Sequence, residues 1–292
     1  MSSIEASNLF SVKGVVAVVT GGGSGIGLMM TKALAANGAR KVYIVGRRLA
    51  VLESAASSIS PSGIVSPIQG DVTSKDDLAR ISAQVKSEVG YLNVLICNSG
   101  IAGPTNDGLK PNPSLKEFKD YLWAHPPEEF SRTFAVNVSG VFYTTLAFLE
   151  LLDAGNKAEN RAGSKVKSQV IATSSIAGFN RKLPAGFSYG SSKAALTHLM
   201  KSLSTALIPY HIRTNIIAPG IYPSDMAGPL IGDRDPTEEG AFEPSIIPIG
   251  RAGTVEDMSG VVLYLCSRAG GYSNGCVVIT DGGRLGVMPA TY

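Results

Sequence analysis

Val15-Val16-Ala17-Val18-Val19-Thr20-Gly21-Gly22-Gly23-Ser24-Gly25-Ile26-Gly27 is the stretch that decides how this chain folds. The valine-rich run suits a buried strand, and helix formers from Leu28 to Asn37 follow the glycines, giving strand, glycine turn, helix. Gly38 ends that helix, and Lys41 to Val45 opens a second apolar, β-rich run, completing a βαβ unit and implying a parallel sheet. Glycines at such a junction let backbone approach a pyrophosphate, while the helix N-terminus offers unpaired amides and the positive end of its dipole. Gly21, Gly23, Ser24, Gly25, Ile26 and Gly27 are therefore candidate dinucleotide contacts, although a tight flexible turn would use the same residues. The spacing Thr20-Gly21-x-x-x-Gly25-x-Gly27 does not satisfy GxGxxG in any register, and no Walker lysine follows.

The alternation continues downstream. Leu49 to Ile59 reads as helix, Gly63 to Gln69 as strand, Lys75 to Val89 as amphipathic helix and Leu92 to Cys97 as strand. Pro127 to Leu152 reads as one helix, Gln169 to Thr173 as strand, Ser188 to Leu207 as helix and Arg213 to Ile217 as strand. Thr254 to Ser267 is a helix and Cys276 to Thr280 a seventh strand. Seven strands without an interior linker predict one doubly wound α/β domain over residues 1–292, with a seven-stranded parallel sheet and helices on both faces. Two stretches break the rhythm. Residues 103–127 carry five prolines and read as a loop insert with some local helix. Residues 219–248, dense in Pro, Gly and acids, read as a lid over a substrate site.

Composition narrows the function classes. At 292 residues and 44% hydrophobic content a substantial core is available. The formal net charge of +3 comes from 26 basic and 23 acidic residues without long like-charge runs, which points to neither a nucleic acid nor a membrane partner. The short polar N-terminus lacks a signal peptide's apolar region, and no run of about 18 uninterrupted apolar residues suggests a membrane span. Cys97, Cys266 and Cys276 are far apart and form no metal-binding cluster, so no metal site is expected and a reduced, cytoplasmic location is.

Two further patterns carry chemistry. After the second strand comes Gly46-Arg47-Arg48, with no acid to bind ribose hydroxyls. A guanidinium fork suits a 2′-phosphate that a carboxylate would repel, so Arg47 and Arg48 favour NADP(H) over NAD, unless both are merely solvated residues at a helix start. Farther on stands Tyr189-Gly190-Ser191-Ser192-Lys193, preceded by Ser174-Ser175. Positions four apart share a helix face, and an ammonium beside a phenol favours the phenolate. The pair alone is also an ordinary helix surface.

Thr20-Gly21-x-x-x-Gly25-x-Gly27, Asn98-Ser99-Gly100, Asn137, Ser175, Tyr189-x-x-x-Lys193 and Pro219-Gly220 together resemble the short-chain dehydrogenase/reductase family, in its order and near its spacings, from about Lys13 to Gly283. The resemblance implies a Rossmann-type domain and a hydride-transfer enzyme, an NADPH-dependent carbonyl reductase or alcohol dehydrogenase. It makes Tyr189 the general acid and base, with Lys193 lowering its pKa and holding the nicotinamide ribose. Ser175 would bind the substrate oxygen, and Asn137 would anchor a water that relays protons to Lys193. Bringing a phenol from about 10 to near 7 needs roughly 4 kcal/mol of preferential phenolate stabilisation. By the same resemblance Asp71 and Val72 face the adenine, and Asn98 and Gly100 lie beside the adenosine ribose. Pro219, Gly220 and Ile221 approach the carboxamide, Ser224 stands where a threonine is common, and Ser24 assists Arg47.

The chain departs from the family pattern in places. Ser99 replaces the usual alanine, and Ser175 lies fourteen residues before Tyr189, one more than is usual. Ser174, at fifteen, is the competing assignment. The segments 103–127 and 153–168 exceed the compact form. Ile221 to Met226 is similar to fungal and bacterial 3-oxoacyl reductase-like members, including a rhamnolipid-type branch. The acidic run from Gly232 to Glu243 argues against an acyl carrier and for a small neutral ketone, such as a secondary-metabolite intermediate. An epimerase, dehydratase or cyclase, or an NADPH-binding sensor, would use the same cradle. The resemblance also implies a homodimer or homotetramer built on Pro127 to Leu152 and Ser188 to Leu207.

Overall fold

The structure, a computed structural model, describes residues 4–59, 63–161, 166–182, 185–228 and 235–291. Its strands are β1 Val16–Thr20, β2 Lys41–Gly46, β3 Val65–Gln69, β4 Val94–Cys97, β5 Gln169–Thr173, β6 Arg213–Pro219 and β7 Val277–Thr280. They form one seven-stranded sheet in the order β3-β2-β1-β4-β5-β6-β7. Every pairing is parallel. The order reverses between β1 and β4, and this switch point opens a crevice at the strands' carboxyl ends, where open α/β sheets bind ligands.

After a short α1 (Ala6–Leu9), helices α2 Gly25–Ala36, α3 Leu49–Ile59, α4 Lys75–Glu88, α5 Leu115–Trp123, α6 Pro127–Phe134, α7 Gly140–Gly155, α8 Phe187–Ala206 and α9 Val255–Cys266 follow. The central strands β1, β4 and β5 are buried along their whole length, as helices on both faces require, and successive residues serve opposite cores. Ala17, Val19, Ile44, Ile96 and Ile217 pack with Met30 and Leu34 of α2 and Met258 and Val262 of α9. Val16, Val18, Tyr43, Leu95, Val170 and Ile216 pack with Ile81 of α4, Phe148 and Leu152 of α7, and Leu196 and Met200 of α8.

Three expectations are refined. The insert at 103–127 contains α5, whose start is fixed by a reciprocal capping box between Ser114 and Glu117. The helix expected over Pro127 to Leu152 is interrupted by a π turn, Ala135–Ser139, that holds Asn137. Although the run Pro127–Gly155 has the length and apolarity to cross a membrane, its Val141, Phe148, Leu151 and Leu152 are spent on the core beneath the sheet. Finally, residues 229–234 of the expected lid and 162–165 of the longer segment lie outside the described residues.

Candidate active site

One cavity of about 450 Å³ runs along the carboxyl edge of the sheet, from Arg47 and Asp71 at one end to Ser175, Tyr189 and Arg284 at the other. The glycine turn forms its floor. Gly21 and Gly25 have φ of +67° and +51°, which glycine adopts freely. A Cβ at Gly25 would lie 3.0 Å from the Ser224 Cβ, and one at Gly23 would lie 3.0 Å from Leu52. Gly27 does not line the cavity: a side chain there would overlap the Gly21 carbonyl oxygen, so its role is the close approach of α2 to the turn. Ser24 caps α2 with extended backbone and no side-chain hydrogen bond, and with Gly25 and Ile26 it opens onto the cavity. The first amides of α2 thus lack a side-chain acceptor from their own cap, which is the arrangement that binds phosphate.

Thr20, a residue sequence reasoning left without a role, ties the floor together. Its hydroxyl accepts from Asn98 N at 3.0 Å and Ser99 N at 3.1 Å, and the Asn98 side-chain amide donates to the Thr20 and Gly21 carbonyls at 3.1 and 3.4 Å. Asn98 therefore holds the turn with its side chain while lining the cavity. A Cβ on Gly100 would stand 3.2 Å from Asn137 Oδ1 and 3.5 Å from Lys193 Nζ, in space that glycine keeps clear.

At the β2–β3 end, Arg47, Arg48, Asp71 and Val72 line the wall. Partial burial works against the Asp71 charge, but hydrogen bonds from Thr73 and the nearby Arg47 hold its carboxyl below the usual range. Arg48 reaches across to Asp225, 3.6 Å away in the loop after β6, with both side chains largely exposed. At the other end Pro219 and Gly220 finish β6, and Gly220 N donates to Thr280 O at 2.9 Å. Ile221 and Ser224 follow along the wall.

The reacting groups come from β5 and α8. Ser174 and Ser175 point in different directions. The Ser174 hydroxyl donates to the Lys193 carbonyl at 3.0 Å and shares a 2.8 Å bond with Thr197, which fixes it in the interior. Ser175 Oγ accepts from Ala177 N at 3.1 Å and hydrogen-bonds the Tyr189 hydroxyl. Lys193 is 3% exposed. Its Nζ donates to Thr173 O at 2.7 Å and lies 5.7 Å from the Tyr189 ring centroid. Burial lowers Lys193 to about 8 and raises the Tyr189 phenol, with the Ser175 hydrogen bond a smaller opposing effect. That direction differs from the one the Tyr-Lys spacing suggests: desolvation costs the phenolate more than the Ser175 hydrogen bond returns.

Asn137 is fully buried and does not touch the cavity. Its Oδ1 accepts from Ile101 N at 2.9 Å, and its two N–H bonds go to Ile101 O at 2.9 Å and Ser192 Oγ at 3.0 Å. The side chain clamps the strand β4 exit to α8 and has no N–H left for a relay water. Cys97 is buried, its thiol pushed up to about 12 by desolvation. Among the described residues no cluster of His, Cys, Asp or Glu could hold a metal ion.

The family model described as short chain dehydrogenase matches residues 15–235. The chain is a short-chain dehydrogenase/reductase. It is 47% identical over 290 residues to the short-chain dehydrogenase/reductase PhomF of Diaporthe leptostromiformis, covering 99% of this chain and 98% of that one. It is 44% identical to SAT3 of Stachybotrys chartarum, covering 90% and 100% respectively. The solved Pseudomonas aeruginosa RhlG/NADP complex superposes with a TM-score of 0.78 at 31% identity, covering 94% of this chain and 98% of that chain. The family's enzymes are oxidoreductases that bind a nicotinamide cofactor and act on small molecules, and this short-chain dehydrogenase/reductase shares that character.

On the cavity wall Arg284 was not anticipated from the sequence, and Tyr222 and Asp225 entered only as part of the Ile221 to Met226 resemblance, without a site role. Tyr222 is anchored through its hydroxyl to Thr280 Oγ1 at 2.6 Å. Arg284 stands in a 3₁₀ turn, Arg284–Val287, just past Asp281-Gly282-Gly283. The only sequence signal was those glycines, which mark a change of direction without saying where the tail goes.

Proposed function

We propose that this short-chain dehydrogenase/reductase is an NADP(H)-dependent carbonyl reductase that converts a small-molecule ketone to an alcohol. The observation that carries this reading is the convergence of Ser175, Tyr189 and the buried Lys193 on one cavity whose floor is the glycine turn and the open start of α2. The cradle fits a dinucleotide, because side chains at Gly21, Gly23 or Gly25 would fill it or strain it. Arg47 and Arg48 supply the positive charge a 2′-phosphate requires.

Held by the glycine turn and the walls of this cavity, reduced nicotinamide would supply the hydride. The chain's own groups handle the oxygen. Ser175 Oγ holds the carbonyl oxygen beside the Tyr189 hydroxyl, and Tyr189 delivers its proton there as negative charge develops. A phenol raised by burial rests protonated at neutral pH, which is the form a reductase needs. Lys193, charged below about pH 8, then stabilises the phenolate left behind. Asn137 keeps Ile101 and α8 in register and so positions both. The similarity to fungal short-chain dehydrogenase/reductases supports a substrate from secondary metabolism.

The test is NADPH consumption across a ketone panel by wild type and Tyr189→Phe. Turnover should fall by about 10²–10⁴-fold in the variant while NADPH binding, followed by its fluorescence, is retained. A variant as active as wild type would remove Tyr189 from the mechanism, and product formed without net NADPH consumption would indicate an isomerising or dehydrating enzyme instead.

A further inference from the structure

Among the described residues, the acids of the lid segment from 235 to 243 do not reach the cavity. Asp235, Glu238, Glu239 and Glu243 are exposed, and none of them lines the wall. The lining carboxylates, Asp71 and Asp225, both stand at the Arg47–Arg48 end. At the opposite end the described residues bring two cations to the cavity, Lys193, which donates to Thr173 O, and Arg284.

Arg284 is carried to that position by the fold of the tail. The chain leaves β7 beside β6, and Gly220 packs directly against Asp281. It then crosses to the loop after Ser175, where Ala290 forms an antiparallel bridge with Asn180. Arg181 N donates to Pro289 O at 2.8 Å and Thr291 N to Phe179 O at 2.7 Å. The tail therefore walls the substrate end, with Arg284 midway along it. Its Nη1 donates to Ile246 O at 2.8 Å. Asp281, the carboxylate that acts on its charge, accepts from Gly283 N at 2.9 Å and Leu285 N at 2.7 Å, and Arg284 forms no ion pair among the described residues. A guanidinium has five donors in a planar fork matched to two carboxylate oxygens, and only one is engaged here. Burial disfavours the charge of Arg284 and Asp281 returns only part of that cost, so a ligand anion would gain from pairing with it.

We propose that Arg284 is a specificity-determining residue that binds a carboxylate on the substrate, so that the preferred ketone is an oxo acid rather than a neutral compound. This rests on the reading of the cavity as a carbonyl-reduction site and replaces the neutral ketone that the acidic segment suggested.

The test uses levulinate, 5-oxohexanoate and 6-oxoheptanoate, each against its methyl ester, with wild type, Arg284→Gln and Arg284→Lys. Glutamine keeps a donor for Ile246 O without the charge, which separates loss of charge from loss of the tail. For at least one chain length, wild type should favour acid over ester in kcat/KM by about tenfold, mainly through KM; the ratio should fall to about one in Arg284→Gln and recover in part in Arg284→Lys. Calorimetric titration of the same pairs into the NADP⁺-loaded protein gives a readout independent of turnover. Acids that bind more tightly than esters, in an Arg284-dependent way, but are never reduced would uphold Arg284 as the carboxylate site and defeat the carbonyl-reductase reading. Acids that bind and react no better than esters, or a preference that survives in Arg284→Gln, would overturn the proposal.

Discussion

Lys193 shows how far a side chain's surroundings can outweigh its sequence neighbours. Spacing put it four residues after Tyr189, and the fold places both at the cavity, yet burial sets both pKa values. The lowered lysine has a consequence for stability. An unfolded lysine binds its proton up to about pH 10.4, whereas the folded one releases it near 8. Between those values the unfolded chain holds more protons, so stability contributed by this group rises with pH. Urea midpoints of the cofactor-free protein at pH 7.5 and 9.5 should show wild type gaining about 2 kcal/mol over Lys193→Met. Equal pH dependence in the two proteins would mean that Lys193 titrates normally. Ser174 and Ser175 illustrate the limit of reading residues singly: adjacent and chemically identical, they differ because one faces Thr197 in the interior and the other the phenol. Sequence can rank such a pair, but only backbone direction separates them.

Elements were legible in proportion to their regularity. β1, β2, β5 and α3 sit where valine-rich runs and helical periodicity put them, since each strand buries both faces and each helix one. The π turn at Ala135–Ser139 left no trace, because its residues Ala-Val-Asn-Val-Ser keep an ordinary helical composition. Its effect is on register: it falls where Asn137 must meet Ile101 and Ser192, and π turns commonly mark such functional insertions. Asn137→Ala strands three buried polar partners at once. We expect a loss of about 2–3 kcal/mol in a denaturant titration, together with a lower kcat because Ile101 and α8 lose their common anchor. An alanine variant as stable as wild type would show that water replaces the amide there. Helix α5 was similarly blurred, since prolines on both sides dominate the composition around it.

At the scale of the molecule, the cavity is lined differently at its two ends, and the proposed preference for NADP(H) rests on the arginines at the β2–β3 end. Replacing Arg47 and Arg48 together with alanine should weaken NADPH binding about tenfold or more in a fluorescence titration, with NADH changing by less than about threefold. Parallel losses for both cofactors would locate the selector elsewhere. The outer faces of α6, α7 and α8 leave Phe130, Tyr143, Leu146 and Phe187 between 38% and 44% exposed. We expect these faces to join copies of the chain, so light scattering should give a dimer or tetramer, and a monomer would refute it. The cradle, the arginine pair and the Tyr-Lys dyad were readable because each depends on residues close in sequence. The substrate end was not, because it is made by a tail returning to a loop more than a hundred residues away.

The bond from Asn98 to Thr20 joins positions 78 residues apart. It can form only once β4 lies beside β1. Closing so long a loop is a slow step in folding. During refolding from urea the glycine turn therefore exists as sequence well before it exists as a shape, and the gain in NADPH fluorescence should lag the recovery of helical circular dichroism. Capture of the dinucleotide would then act as a clock for the closing of the central pair of strands.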